Sequence, residues 1–367
     1  MRVSEPYTIF PRKLKSGKIV YYEQHRLDNG TRSVPKSTGC TTESSAKRYC
    51  NKLYNQGAFE THSSLRFSVF TKDFFAKDKE FYKWKSINNA NITDETLLAY
   101  DKFLRNQLMP YFANVQISAI TRAEIKNWII WASSKWSAKT VNNAQTVLNA
   151  ILNQAVDKEI IQFNPTANIS FRKIDKKERV ILTIEEVKKT YKSDLWTNEI
   201  LRTAFLVLAI TGMRISEVVA LCNEDITDDY INVRHSYSRQ FGLGSTKTKE
   251  CRYVPKPKDF VLKAESGEWI FPAENGLPFN ICRMYDNLQR IWKSLGIDSK
   301  ERGLTTHTMR HFFNSYLLKE NVPKSKVKAV MGHKDKDDMT DWYAHWTPDM
   351  FPEVYDAQLR LYNKIKE

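Results

Sequence analysis

Between residues 141 and 155, apolar side chains recur at Val141, Ala144, Val147, Leu148, Ile151, Leu152 and Ala155. This is the i, i+3, i+4, i+7 spacing of one helix face, and a strand with its two-residue repeat would scatter the same side chains over both faces. A stripe this wide is unstable in water unless other elements cover it. The surrounding chain, from about 64 to 172, reads as helical throughout and supplies them. Thr121-Arg-Ala-Glu124 has the form of a capping box that opens another helix through Trp128 and Trp131. Both tryptophans lie on or beside the face of Ile125 and Ile129, which assigns them to a core rather than to base stacking. Asn164-Pro165 closes the region. The charged run 173–179 that follows is either a solvated linker or a segment that tracks a phosphate backbone.

Other rules govern the flanks. Before residue 60, a β-branched and aromatic run at 19–22 lies between Ser16-Gly17 and Asn29-Gly30, a hairpin signal. Ala46, Cys50 and Leu53 then take helical spacing that ends at Gly57. A small three-stranded sheet followed by a helix is expected here. The segment is rich in cations, among them Arg12, Lys13, Lys15 and Lys18. Such a β-ribbon fits the DNA major groove; a solvated sheet face reads equally well. After residue 180 both patterns mix. Thr183 caps a helix, an apolar helix at 200–210 stops at Gly212, and strands are expected at 230–235 and 251–254, the second ended by Pro255 and Pro257. Helices return at 284–295, 309–318 and 324–331. A chain of 367 residues exceeds one ordinary domain, and the expected divisions are 1–60, 64–172 and 173–367.

Charge points to the partner. Lys and Arg number 57 against 42 Asp and Glu, a formal charge of +15, which steers a protein toward polyanions such as DNA and RNA. A basic surface that only keeps the chain soluble is the plainer alternative. The five cysteines (Cys40, Cys50, Cys222, Cys251, Cys282) have no CxxC spacing, so neither a zinc ribbon nor a disulfide framework is expected. No apolar run has signal-peptide or membrane-spanning length, and the expectation is a cytoplasmic protein that makes no use of a membrane.

Four short stretches of the last region carry chemistry. In Thr211-Gly-Met-Arg214-Ile-Ser-Glu217-Val, Arg214 is flanked by core sequence, where a guanidinium is costly unless an anion meets it. An internal pair with Glu217 or Asp225 would answer the same need. His307-Thr-Met-Arg310-His311 places His307 and Arg310 on one helix face. His307 and His311 also have the spacing of a zinc helix, but Arg310 among the ligands would repel a cation, so no metal is expected. Met331-Gly-His333 is followed ten residues on by Tyr343, and Thr246-Lys247-Thr-Lys249 reads as a turn between strands. Two arginines, two histidines, a lysine and a tyrosine are what metal-free phosphodiester transfer needs. Arginines neutralise the charge that accumulates on the non-bridging oxygens, a phenolic oxygen forms the covalent ester, and a base and an acid move the protons.

In order and local sequence, TGMRISEV, then STKTK, then HTMRH, then MGH, then a tyrosine near the C-terminus, the chain resembles the tyrosine recombinase, or phage integrase, family. The likeness is close over the C-terminal half and looser over the whole chain, since integrases of the lambda type also set an arm-type DNA-binding sheet before a helical core-binding domain. It implies an α+β, mostly helical protein: the small sheet plus helix at 1–60, a core-binding domain at 64–172, and a mixed α/β catalytic domain with a C-terminal tail at 173–367. It implies Arg214 and Arg310 as the phosphate clamp, Tyr343 as nucleophile, Lys247 as general acid, His307 as base and His333 as a phosphate ligand. Lys249 is the alternative acid and Tyr355 the alternative nucleophile, because the step from His333 to Tyr343 is one residue longer than the family's usual spacing. Basic DNA contacts are expected at Arg12, Lys13, Lys15, Lys18, Arg122 and Lys139. The implied reaction is site-specific recombination by the integrase of a mobile element or prophage, through a 3′-phosphotyrosyl intermediate and a Holliday junction, without cofactor, metal or ATP. A homotetramer on double-stranded attachment sites would carry it out, associated with the bacterial nucleoid. An excisionase and a DNA-bending protein are further expected partners, and the helix beyond Tyr343 is expected to dock on a neighbouring protomer. The alternatives are a type IB topoisomerase-like nicking-closing enzyme and a catalytically silent DNA-binding regulator.

Overall fold

The computed structural model describes residues 7–14, 16–25, 32–55, 65–88, 92–175, 180–246, 251–264, 267–332 and 346–367. The chain divides into two compact units, Met1–Lys176 and Lys177–Glu367.

The first unit opens with an antiparallel sheet, β1 (Tyr7–Lys13), β2 (Ile19–His25) and β3 (Lys36–Ser37), in that order. Gly17, at φ +81°, lets the first turn close, and Leu14 and Lys18 share a backbone hydrogen bond across it. The expected Asn29-Gly30 turn lies outside the described residues. One sheet face carries Tyr7 and Ile9 against α1 (Glu43–Asn55), where they meet Cys50, Leu53 and Tyr54. The Tyr7 hydroxyl also bonds Asn51 at 2.5 Å. On the opposite face Phe10 stacks on Tyr22 and the Arg12 guanidinium lies 5.3 Å from the Tyr22 ring centroid. Arg66 fastens this module to the helices that follow, donating to the Tyr54 carbonyl and lying over its ring.

Those helices are α2 (Phe67–Phe70), α3 (Glu80–Ile87), α4 (Asp94–Phe103), α5 (Met109–Phe112), α6 (Arg122–Ser133) and α7 (Ala138–Asp157). A π-helical turn, Leu104–Leu108, joins α4 to α5. Pro110, one residue into α5, has no amide hydrogen for the α-helical ladder and crowds the preceding turn. All seven apolar positions of the α7 stripe are fully buried, and Trp128, Phe112 and Phe67 fill the space opposite. Polar residues of α7 hold the segment that leaves the unit. Asn142 exchanges two hydrogen bonds of 2.9 Å with the backbone of Arg172, and Gln145 donates to the Ile169 carbonyl.

In the second unit the sequence signals act locally. Thr183 and Glu186 form a complete capping box at the start of α8 (Ile184–Lys192), and Asn198 caps α9 (Glu199–Thr211). Residues 204–211 are all buried, which makes α9 the central helix of the unit rather than a surface one. Around it lie α10 (Ile215–Val218), α11 (Ile281–Ser294), α12 (Thr308–Lys319), α13 (Lys324–Met331) and α14 (Pro352–Lys366). Among the described residues the unit also has two strand pairs: β4 (Tyr230–Val233) with β7 (Arg252–Pro255), and β5 (His235–Ser238) with β6 (Gly242–Ser245). The mostly helical α+β architecture expected from the sequence is what the chain adopts. The helix beyond Tyr343, α14, buries Val354, Ala357, Leu361 and Ile365 on its own unit, and Gln358 donates to the Ile210 carbonyl at 2.8 Å. Among the described residues no helix is long and apolar enough to cross a membrane.

Candidate active site

Helix α9 ends at Gly212, which takes the left-handed conformation (φ +62°) and leaves no room for a side chain: a Cβ there would sit 2.6 Å from Phe313 and 2.9 Å from Met331. The chain turns at once into α10, whose cap is Arg214. Its amide donates to Glu217 Oε2 at 2.9 Å and its guanidinium to Glu217 Oε1 at 2.7 Å. Two more arginines converge on this point. Arg252, the first residue of β7, gives Glu217 two bonds of 3.2 and 2.6 Å and donates through Nε to the Val330 carbonyl at 2.8 Å. Arg310, in α12, donates to the Gly212 carbonyl at 2.9 Å and to the carbonyl of Met331. The accepting carbonyls belong to the C-terminal ends of α9 and α13, where unpaired oxygens and the negative end of the helix dipole favour cations.

Two guanidiniums therefore bond one carboxylate, and the third, Arg310, lies within reach of its charge. Burial would raise the Glu217 carboxyl, but the charge and hydrogen bonds of Arg252, then the amide and charge of Arg214, outweigh it and hold it below its ordinary value. Burial pushes Arg310 down to about 9, and the neighbouring charges of Arg214 and Arg252 add to the effect. Even so, Arg310 stays cationic at neutral pH. The cluster carries excess positive charge in a low-dielectric place, which is where an added anion is most strongly held. Arg310 is 2% exposed, whereas the Arg214 side chain is 21% exposed, so Arg214 is the more open of the two.

The structure thus brings Arg214 and Arg310 together, and it also contains the Arg214–Glu217 pair that the sequence offered as an alternative. Asp225, the other candidate partner, pairs instead with Arg234 at 2.6 Å. His307 caps α12 in an exposed position, its ring set edge-on to His311 with centroids 4.9 Å apart. Among the described residues no cluster of His, Cys, Asp or Glu could hold a metal. Lys247, Lys249, His333 and Tyr343 lie outside the described residues. Tyr355, on α14, accepts the Lys258 amide and lines a cavity of about 280 Å³ with Asp229, Asp349 and Asp356 and with none of the three arginines. Of the expected DNA contacts, Arg12, Lys13, Lys18, Arg122 and Lys139 are exposed, Arg122 also bonding the Ala167 carbonyl, and Lys15 lies outside the described residues.

Arg252 was missed in the sequence. A signal for it exists: it shares a strand face with buried Val254, and a charged residue at an apolar register position needs a buried partner.

Residues 168–350 match the Phage integrase family, and residues 79–130 match the phage integrase N-terminal SAM-like domain. The chain belongs to the phage integrase family, the tyrosine recombinases. As a member it is an enzyme of site-specific DNA recombination. The larger matched span of this recombinase contains Arg214, Arg252, His307, Arg310 and Tyr343. It is 25% identical over 289 residues to tyrosine recombinase XerD of Halalkalibacterium halodurans, covering 76% of this chain and 95% of that one. It is 22% identical over 392 residues to the prophage ps2 probable integrase of Lactococcus lactis subsp. lactis, covering 94% and 97%. Its fold resembles that of the Tn1549 transposon integrase solved with a circular intermediate DNA (TM-score 0.57, 20% identity, 77% of this chain and 98% of that one). The lambda integrase dimer bound to a COC′ core site is similar over 92% of this chain and 96% of that one (TM-score 0.54, 15% identity).

Proposed function

We propose that this recombinase is the integrase of a mobile element or prophage and that it breaks and rejoins duplex DNA at attachment sites through a phosphotyrosine. The observation that carries the reading is the convergence of Arg214 and Arg310 beside one buried carboxylate, at the ends of the helices that lead into the catalytic segments. In the proposed reaction the two guanidiniums meet the non-bridging oxygens of the scissile phosphate. The Tyr343 phenolic oxygen attacks phosphorus, and His307 takes its proton. The bond from phosphorus to the 5′-oxygen breaks, and Lys247 protonates that oxygen as it leaves. His333 supports the phosphate. The products are a 3′-phosphotyrosine and a free 5′-hydroxyl, so the ester keeps the bond energy and ATP is not needed. Attack by the 5′-hydroxyl of a second duplex reverses the step with exchanged partners; two such rounds, through a Holliday junction, require four protomers.

The proposed division of labour follows the chain: 1–60 binds arm-type sites, 64–172 grips the core site, and 173–367 carries the chemistry. A prophage integrase matched over nearly the full length supports the mobile-element role. The basic sheet face with Arg12 over Tyr22 supports the arm-binding role. Excisionase and bending proteins, and a place on the nucleoid, belong to the same reading.

The test is a denaturing gel of the protein incubated with nicked duplexes taken from the DNA bordering its gene. A covalent protein–DNA band is expected for the natural chain and for Tyr355→Phe, and none for Tyr343→Phe. Tight binding with no adduct in the natural chain would overturn the enzymatic reading; an adduct lost only in Tyr355→Phe would move the nucleophile.

A further inference from the structure

Arg252 has no part in the reaction as set out so far, yet it joins α10, through Glu217, to the end of α13, through Val330. Its side chain is 9% exposed and its main partner, Glu217, is 1% exposed. Its two bonds to Glu217, the shorter at 2.6 Å, compare with the single one from the Arg214 side chain. Through Nε it also holds the Val330 carbonyl, near the end of the helix that leads into His333. Gly332, at φ +61°, packs so closely on it that a Cβ would lie 3.1 Å from Arg252 Cδ. In the chain, Arg252 opens β7 directly after the segment that contains Lys247.

We propose that Arg252 is a positioning residue that keeps Arg214 available to the phosphate. A buried carboxylate is costly unless donors surround it. With Arg214 as its only cation, Glu217 would draw that guanidinium into a bidentate pair, the geometry the two groups prefer. Arg252 satisfies Glu217 first and is itself held back by Val330. Arg214 then spends one of its five N–H donors on the carboxylate, and its remaining fork points where a phosphate oxygen can be met. A lysine at 252 would keep the charge but not three directed bonds. The inference rests on the clamp reading of Arg214.

Single-turnover cleavage of a nicked duplex tests it, with either an ordinary scissile phosphodiester or an uncharged methylphosphonate at that position. A clamp that neutralises charge matters for the first substrate and much less for the second. Arg252→Gln is expected to slow phosphodiester cleavage roughly a hundredfold, the size of effect a small misplacement produces. Its effect on the methylphosphonate is expected to be about tenfold smaller, with duplex affinity close to that of the natural chain; the melting temperature falls because buried Glu217 loses a cation, so rates are compared well below it. Arg252→Lys is expected to fall between the two, and it carries the same comparison should Arg252→Gln not fold. Equal slowing on both substrates, or slowing that tracks lost affinity or a smaller folded fraction at the assay temperature, would overturn the positioning role. Arg214→Ala is the control: a deficit that ignores the charge of the substrate in that variant refutes the clamp itself, which separates the two failures.

Discussion

Glu217 is a residue through which acid acts on the stability of this site. Its carboxyl titrates below the ordinary 4.5 in the folded chain, so as pH falls the unfolded chain takes up the proton first. The stability contributed by its pairing is therefore complete above about pH 4.5 and is lost as pH drops through the depressed folded value. Melting temperature followed from pH 6 to pH 3 is expected to fall less steeply in Glu217→Gln than in the natural chain. Glu186, held down by Arg302, leaves some slope in both. Parallel curves would remove Glu217 from this role. Arg214 and Arg310 were legible at this scale because their local sequences announce them. Arg252 was not, because its partners lie 35 and 78 residues away in the chain, and no local pattern encodes a meeting at that distance.

At the scale of elements, legibility followed local physics. The α7 stripe, the Thr183 capping box, the Gly212 stop and the span of α13 are all set by neighbours a turn away. The Thr121 box is half realised. Thr121 accepts the Glu124 amide at 3.2 Å, but the Glu124 carboxylate is drawn to the Tyr111 hydroxyl, a tertiary partner; burial, and then this carboxylate, raise that phenol above its ordinary value. Strand β5 gave no signal, because His-Ser-Tyr-Ser has no apolar alternation and pairs with glycine-rich β6. Helix α7 has a second duty that its apolar pattern does not reveal, which is to hold the outgoing backbone through Asn142. Asn142→Ala leaves the Arg172 amide without its partner and is expected to destabilise the unit by about 1–3 kcal/mol. Hydrogen exchange at 169–172 should quicken more than exchange in α6; uniform quickening would assign Asn142 to global packing alone.

For the whole molecule the formal charge of +15 becomes a statement about salt. Each phosphate neutralised on duplex DNA adds about 0.9 to the slope of log affinity against log salt. Replacing Arg12, Lys13 and Lys18 together by alanine is expected to lower that slope by roughly 2 to 3 on duplexes carrying arm-type sites. An unchanged slope would return the sheet face to a solvated surface. Composition and periodicity determined by themselves that this chain is mostly helical and strongly cationic, and its short motifs carried the resemblance to the tyrosine recombinases, since helix faces, caps and each motif are written within a few residues of one another. Only the tertiary structure decided that Arg252 shares Glu217 with Arg214, that the ends of α9 and α13 are held by guanidiniums, and that α14 covers its own core. Those are contacts between distant segments, and their energies depend on burial that no stretch of sequence possesses until the others have packed against it.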